Sequence, residues 1–264
     1  GIAIDGVPIR KASELFGLIH FVFFSPEDLS IIKNGPAERR HFLDSELCQL
    51  DKVYLYQLSN YNKVVLQRNK LLKELYLHPD YREVLDVLDM QLVQYGSALI
   101  QRRQTFAEEL GKIVHRIHSQ LSGGQEEMEL KYEPNVTVDA FAQMLFSNRE
   151  RNRRLKTTAT GPHRDDISFV VNGVDIRKFG SQGQQRTAAL SLKLSEIELV
   201  KRLIGDTPVL LLDDVLSELD SGRQNYLLNS IENIQTLITC TGLDEFVNHR
   251  FSINRIYKVT DGSV

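Results

Sequence analysis

The run Val209-Leu210-Leu211-Leu212, followed at once by Asp213-Asp214, constrains this chain more than any other stretch. Continuous apolar residues bounded by the turn formers Gly205 to Pro208 predict a strand covered on both faces, which calls for helices about a mostly parallel sheet. The acid pair then falls at the carboxyl end of that strand, where open α/β sheets bind their ligands. One carboxylate there can hold a hydrated Mg²⁺ while the other orients or deprotonates an attacking water. A solvated turn is the plainer account of two adjacent acids, so the segment one helix upstream carries the weight. Thr187 to Leu203 is dense in apolar residues without Pro or Gly, which predicts a mostly buried helix. It starts at Ser181-Gln182-Gly183-Gln184, a turn whose unsatisfied N–H groups and helix dipole favour an anion.

Composition bounds the partners. The 264 residues suffice for one large domain or two smaller ones, and 42% hydrophobic with 25% charged residues is ordinary for a globular chain. A net charge of −3 argues against coating DNA through overall charge but leaves room for a local basic face. No apolar run approaches the ~18 residues of a membrane span and no secretory leader is visible, so a cytoplasmic protein is expected. Cys48 and Cys240 lack metal-ligand spacing and are expected reduced.

Along the chain, Asp5-Gly6 predicts a hairpin between two short strands, with Pro8 confining the second to an edge. Phe21 to Phe24 predicts a strand, and Ser25-Pro26-Glu27-Asp28 a capped helix start. From Pro36 to Ser119 apolar residues recur at steps of three and four, interrupted at Arg68 and turned at Pro79-Asp80, which predicts two long antiparallel helices. Gln224 to Ile234 predicts a helix; Gln235 to Cys240 and Arg255 to Val259 predict strands.

Three further segments carry chemistry. Arg149, Arg151, Arg153, Arg154 and Lys156 set five positive charges against Glu150, either a solvated helix end or a phosphate-backbone contact. Arg39 and Arg40 are a weaker candidate. Gly161-Pro162-His163-Arg164-Asp165-Asp166 gathers residue types that bind phosphate or metal ahead of a strand over 167–171, which turns at Asn172-Gly173 into 174–176; the alternative is a turn whose acids and Arg164 satisfy one another. Leu121 to Gln125 spells LSGGQ, the literal signature of ABC ATPases, but it lies an arm away from the acid pair and precedes an alternating strand pattern, so a loop is expected.

Taken together, SQGQQR at 181–186 and VLLLDDVLSELD at 209–220 resemble the signature, Walker B and D-loop segments of the RecF family, within the ABC/SMC/Rad50 class of DNA-repair ATPases. FFSPEDL at 23–29, GPAERRHFLD at 35–44 and TGPHRDD at 160–166 extend the resemblance over nearly the whole chain. It implies an α/β ABC-type ATPase head, with its P-loop lobe missing, interrupted by an antiparallel helical arm. The divisions are residues 1–35 as the remnant of a first lobe, 36–119 as the arm, and 120–264 as the second part of the head.

The resemblance also implies ATP and Mg²⁺ as cofactors and a head-to-tail homodimer. Ser181, Gln182, Gly183, Gln184, Gln185 and Arg186 would then reach, in trans, the nucleotide held by the other subunit. Asp213 would hold Mg²⁺ through water, and Asp214 would be the base where the wider class has Glu. Ser217, Glu218 and Asp220 would line the dimer interface, and His163, Arg164 and Asp165 would lie on the nucleotide side. The γ-phosphate-sensing His of ABC folds is replaced near Thr239 to Thr241 by Thr or Cys. The implied role is ATP-gated clamping on gapped or duplex DNA, assisting RecA loading with RecO and RecR. No GxxxxGK[ST] occurs, and Gly111-Lys112-Ile113 is no substitute, so ATP turnover by these residues alone is not expected. A transporter-type or other ABC/SMC-branch ATPase and a non-catalytic scaffold are the alternatives.

Overall fold

The computed structural model describes residues 2–74, 82–240 and 254–260. The acid pair sits on a parallel sheet in which β3 (Phe21–Phe24) and β8 (Thr236–Thr239) flank β7 (Val209–Asp213), with Phe24 opposite Leu212 and Asp213 opposite Thr239. Side chains alternate along such strands. Val22, Phe24, Leu210 and Leu212 are buried on the face toward α8 (Gln182–Ile204), whereas Phe23 and Leu237 are 47% and 54% exposed on the other. Within β7 itself Leu210 and Leu212 are buried and Val209 and Leu211 half-buried, so among the described residues the strand is covered on one face and partly covered on the other.

At the amino end β1 (Ala3–Ile4) and β2 (Val7–Pro8) pair through Asp5 and Gly6, both at positive φ. A second sheet, antiparallel, sets β5 (Asp166–Val171) between β4 (Met128–Glu133) and β6 (Val174–Asp175), joined at Asn172-Gly173. Ile176 opens α7 (Ile176–Phe179) instead of extending β6. Residues 254–259 carry no strand, contrary to the pattern at Arg255 to Val259.

After the short α1 (Leu29–Lys33), the expected first arm helix is two: α2 (Pro36–Leu50) and α3 (Lys52–Glu74). Asp51 separates them, its carboxylate accepting from the N–H groups of Val53 and Tyr54 as a cap. The predicted turn at Pro79-Asp80 lies outside the described residues. α4 (Arg82–Leu121) runs antiparallel to α3, since Arg68 meets Asp89, Tyr61 faces Gly96, and Tyr54 meets Arg103. Arg68 is no interruption: fully buried, it pairs with Asp89 at 2.6 Å and donates to Thr158 Oγ1 at 3.1 Å. The lower part of α4 packs on β4 and α8, so the long helices and the sheets share one hydrophobic core. α5 (Val138–Ser147), α6 (Arg149–Leu155) and α9 (Ser221–Ser230) complete the layers.

Candidate functional site

β7 delivers Asp213 to its carboxyl end as an exposed carboxylate, and Thr239 on the neighbouring strand donates its hydroxyl to Asp213 Oδ1 at 2.6 Å. Thr239 was legible only as the absence of a histidine; the strand register makes it an orienting donor. Asp214 leaves the strand at φ 51°, a left-handed conformation that Asp and Asn tolerate better than most residues. Its N–H bonds the carbonyl of Thr239, its carbonyl accepts from Ser217 Oγ, and its Oδ1 is buried without a partner.

These carboxylates fit a nucleotide-borne Mg²⁺. That ion is held by one or two carboxylates plus phosphate oxygens and waters, not by an all-protein cage. Among the described residues no group of three His, Cys, Asp or Glu is placed to hold a metal ion by itself, while Asp213 offers a hard oxygen donor and Asp214 an orphaned one.

The start of α8 is at the surface. Ser181 is the cap, its Oγ accepting from Gln184 N–H at 3.2 Å, while Gln184 Oε1 accepts from Ser181 N–H at 3.0 Å. The N–H groups of Ser181 and Gln184 are therefore satisfied internally, which leaves those of Gln182 and Gly183, both exposed residues, without an intrahelical acceptor. Arg186 lines a cleft with Ser25, Asp28, Lys193, Val215 and Leu219, between the loop after β3 and the segment after β7. Gln185 is a correction: it is buried, and its amide donates to the carbonyl of Ile176, so it packs α8 on α7 instead of facing a ligand.

Beyond β7, Asp220 caps α9 through the N–H of Arg223 and pairs with its guanidinium at 2.6 Å. Arg223 reaches on to Thr187 Oγ1, tying the start of α9 to the second turn of α8. Ser217 is exposed; the side chain of Glu218 lies outside the described set.

Beneath the cleft, Lys193 pairs with Glu196 at 2.5 Å and stands over the Phe24 ring. Burial depresses the ammonium's affinity for its proton, but Glu196, Glu46 and Asp28 outweigh it and hold Lys193 above its ordinary value. The three carboxyls are themselves raised, chiefly by burial around a single cation.

The GPHRDD segment is a structural junction. Asp165, fully buried, accepts from Arg103, Tyr132 and the N–H of Asn135, and Asp166 pairs with Arg39. Its acids are satisfied by arginines of α2 and α4, not by Arg164 as the plainer alternative supposed. His163 donates from Nε2 to the carbonyl of Thr158 and accepts from the Tyr61 hydroxyl at Nδ1, and burial pushes its imidazole down to about 4. Asp165 and His163 are thereby committed inside the fold, and only Arg164 is exposed. The basic run divides likewise. Arg149 is engaged by Asp86 and Asp89 and lies over Phe146, whereas Arg151, Arg153, Arg154 and Lys156 are exposed, with Arg153 pairing with Glu150.

LSGGQ closes a helix instead of opening one. Gly123 at φ 63° and Gly124 at φ 78° send their N–H groups back to the carbonyls of Gln120 and Ser119, terminating α4. The expectation of a loop holds.

No family model matches the chain. It is 60% identical to the DNA replication and repair protein RecF of Lachnospira eligens and 61% identical to that of Agathobacter rectalis, covering all of this chain and 73% of each relative. A solved structure of the recombination mediator protein RecF with ATP superposes with a TM-score of 0.84 at 36% identity, over 91% of this chain and 67% of that one. Among the described residues no helix is long and apolar enough to cross a membrane. The mixed α/β head expected from the resemblance is the fold observed, and the chain belongs to the RecF family.

Proposed function

We propose that this chain supplies the signature turn and the Walker B carboxylates of an ATP-binding head that dimerises on nucleotide and clamps DNA. The observation that carries this reading is the pairing of an exposed, self-capped helix start at Ser181 with an exposed carboxylate at Asp213, in a relative of a RecF solved with ATP. Bound MgATP would supply the phosphoryl centre and the charge to be neutralised.

The chain's own contribution follows from its geometry. Thr239 fixes one oxygen of Asp213 and leaves the other for a metal-bound water. Asp214, half-buried and held by the left-handed turn, is the carboxylate left to orient an attacking water or take its proton. The Ser181 hydroxyl and the N–H groups of Gln182 and Gly183 would meet the γ-phosphate carried by a second copy, with Ser217, Glu218 and Asp220 at the joint. Residues 36–119 act as the arm, and Arg151, Arg153, Arg154 and Lys156 contact the DNA backbone. The cellular role is repair at gapped or duplex DNA, assisting RecA loading with RecO and RecR. Without a GxxxxGK[ST] motif, these 264 residues bring two of the three nucleotide elements and do not turn over ATP by themselves.

The test is ATP turnover and ATP-dependent dimerisation of the full-length protein with Asp214→Asn. Asn keeps the left-handed conformation and the shape while removing the charge and the proton-accepting oxygen. Turnover falls by roughly 10²-fold or more with dimerisation retained. A variant as fast as the parent removes Asp214 as the base, and a parent that stays monomeric with ATP removes the dimer.

A further inference from the structure

The end of α4 is wired to the signature turn by four side chains. His118, 0% exposed in the last turn of α4, sets Nε2 3.0 Å from Glu126 Oε2 and Nδ1 3.0 Å from Ser191 Oγ on α8. The other oxygen of Glu126 accepts from Gln184 Nε2 at 2.9 Å. Gln184 closes the cap on Ser181 from both sides.

A glutamine amide has a donating end and an accepting end, and turning it over exchanges them. A carboxylate only accepts. With Glu126 in place, the NH₂ of Gln184 must face it and the Oε1 must face the N–H of Ser181. The Ser181 oxygen in turn takes the N–H of Gln184, so the serine's own proton is directed away from the helix, beside the N–H groups of Gln182 and Gly183.

We propose that Glu126 and His118 are positioning residues for the signature turn, locking Gln184 in the one orientation that aims the Ser181 hydroxyl and its neighbouring N–H groups at a phosphate. This rests on the trans-acting reading of Ser181 given above. It also gives LSGGQ a place: the glycine cap turns the chain so that the next residue, Glu126, reaches α8.

The proton count distinguishes variants. Ser191 also lies 2.7 Å from the carbonyl of Thr187, so its single proton serves either that oxygen or His118 Nδ1. With Glu126→Gln, the new carbonyl accepts from Gln184 and the new NH₂ faces Nε2. His118 then carries its proton on Nδ1, Ser191 accepts it and donates to Thr187, and every bond keeps a donor. Glu126→Ala leaves Gln184 free to turn over. Glu126→Asp keeps the charge but is a carbon too short to span both partners.

The experiment compares these three variants with the parent in the full-length protein, reading ATP-driven dimerisation by sedimentation and hydrogen exchange at the Ser181–Gln184 amides. Glu126→Ala weakens dimerisation about tenfold and speeds exchange at Ser181 about tenfold, and Glu126→Gln recovers both. Glu126→Asp behaves like Glu126→Ala and replaces it should the alanine form fail to fold. Dimerisation of both Ala and Asp forms within about twofold of the parent overturns the proposal, as does a Gln form as weak as they are. A parent that does not dimerise with ATP overturns the functional reading and this inference with it; a dimerising parent with indifferent variants overturns this inference alone.

Discussion

Arg103 and Asp165 form an ion pair sealed from solvent, Nη1 to Oδ2 at 3.0 Å with side chains 2% and 0% exposed. The same guanidinium reaches Asp44 at 2.7 Å and the carbonyl of Pro162 at 2.7 Å, so one side chain of α4 joins α2 to the GPHRDD turn. Arg103→Met would take the cation from the fully buried Asp165 and a partner from the half-buried Asp44, and breaking a buried pair in this way costs about 3–5 kcal/mol. Urea denaturation will show the midpoint falling with little change in slope. A loss below about 1 kcal/mol would mean that the acids find water instead.

Gly96 sits where three helices meet. A β-carbon there would stand 2.5 Å from Phe141 Cε1 and 2.9 Å from Tyr61 Cε2. On an open helix face Gly→Ala gains up to ~1 kcal/mol in propensity. Here overpacking of two buried rings costs about 1–3 kcal/mol, so the sign reverses and Gly96→Ala lowers the thermal midpoint.

His163 makes stability depend on pH. The unfolded chain takes a proton near the ordinary 6.5, while the buried imidazole refuses one until about 4. Between these values the unfolded state binds more protons, so stability is full above about 6.5 and lost as the pH falls toward about 4. The gap corresponds to on the order of 3 kcal/mol. In paired denaturation series, the difference between parent and His163→Gln should vary with pH inside that window and be level outside it.

Thr239 orients Asp213 with a single hydroxyl proton. Thr239→Val keeps the shape and deletes the donor, so the full-length protein should lose about tenfold in ATP turnover, a charge-assisted hydrogen bond being worth roughly 1.5–3 kcal/mol at most. Thr239→Ser should return most of it. Equal rates for Val and Thr would show that Asp213 needs no orienting partner.

Four exposed basic residues follow α5, and three of them can be neutralised together. Arg151, Arg153 and Arg154 changed to Gln should flatten the salt dependence of duplex binding, each lost phosphate contact removing about 0.9 from the logarithmic slope. Arg149, committed to Asp86 and Asp89, should affect stability instead. An unchanged slope would leave the run as a solvated helix end.

Local signals in the sequence determined much of this protein. The Asp5-Gly6 and Asn172-Gly173 turns, the Ser25 helix start, the apolar run ending in Asp213 and the linked RecF-like motifs depend on neighbours in the chain, so residue type and spacing suffice to find them. The tertiary structure alone decided which charges are spent inside. Arg68, Arg103, Arg149, His163, Asp165 and Gln185 look available in the sequence, yet each is held by a partner remote in the chain or turned into the core. Asp89 and Glu126 carry no local signal, because a buried charge is recognised by what surrounds it and those surroundings exist only once helices and sheets have packed. The same holds for β7: four apolar residues in a row predict a strand, but how far each of its faces is covered among the described residues depends on elements elsewhere in the fold.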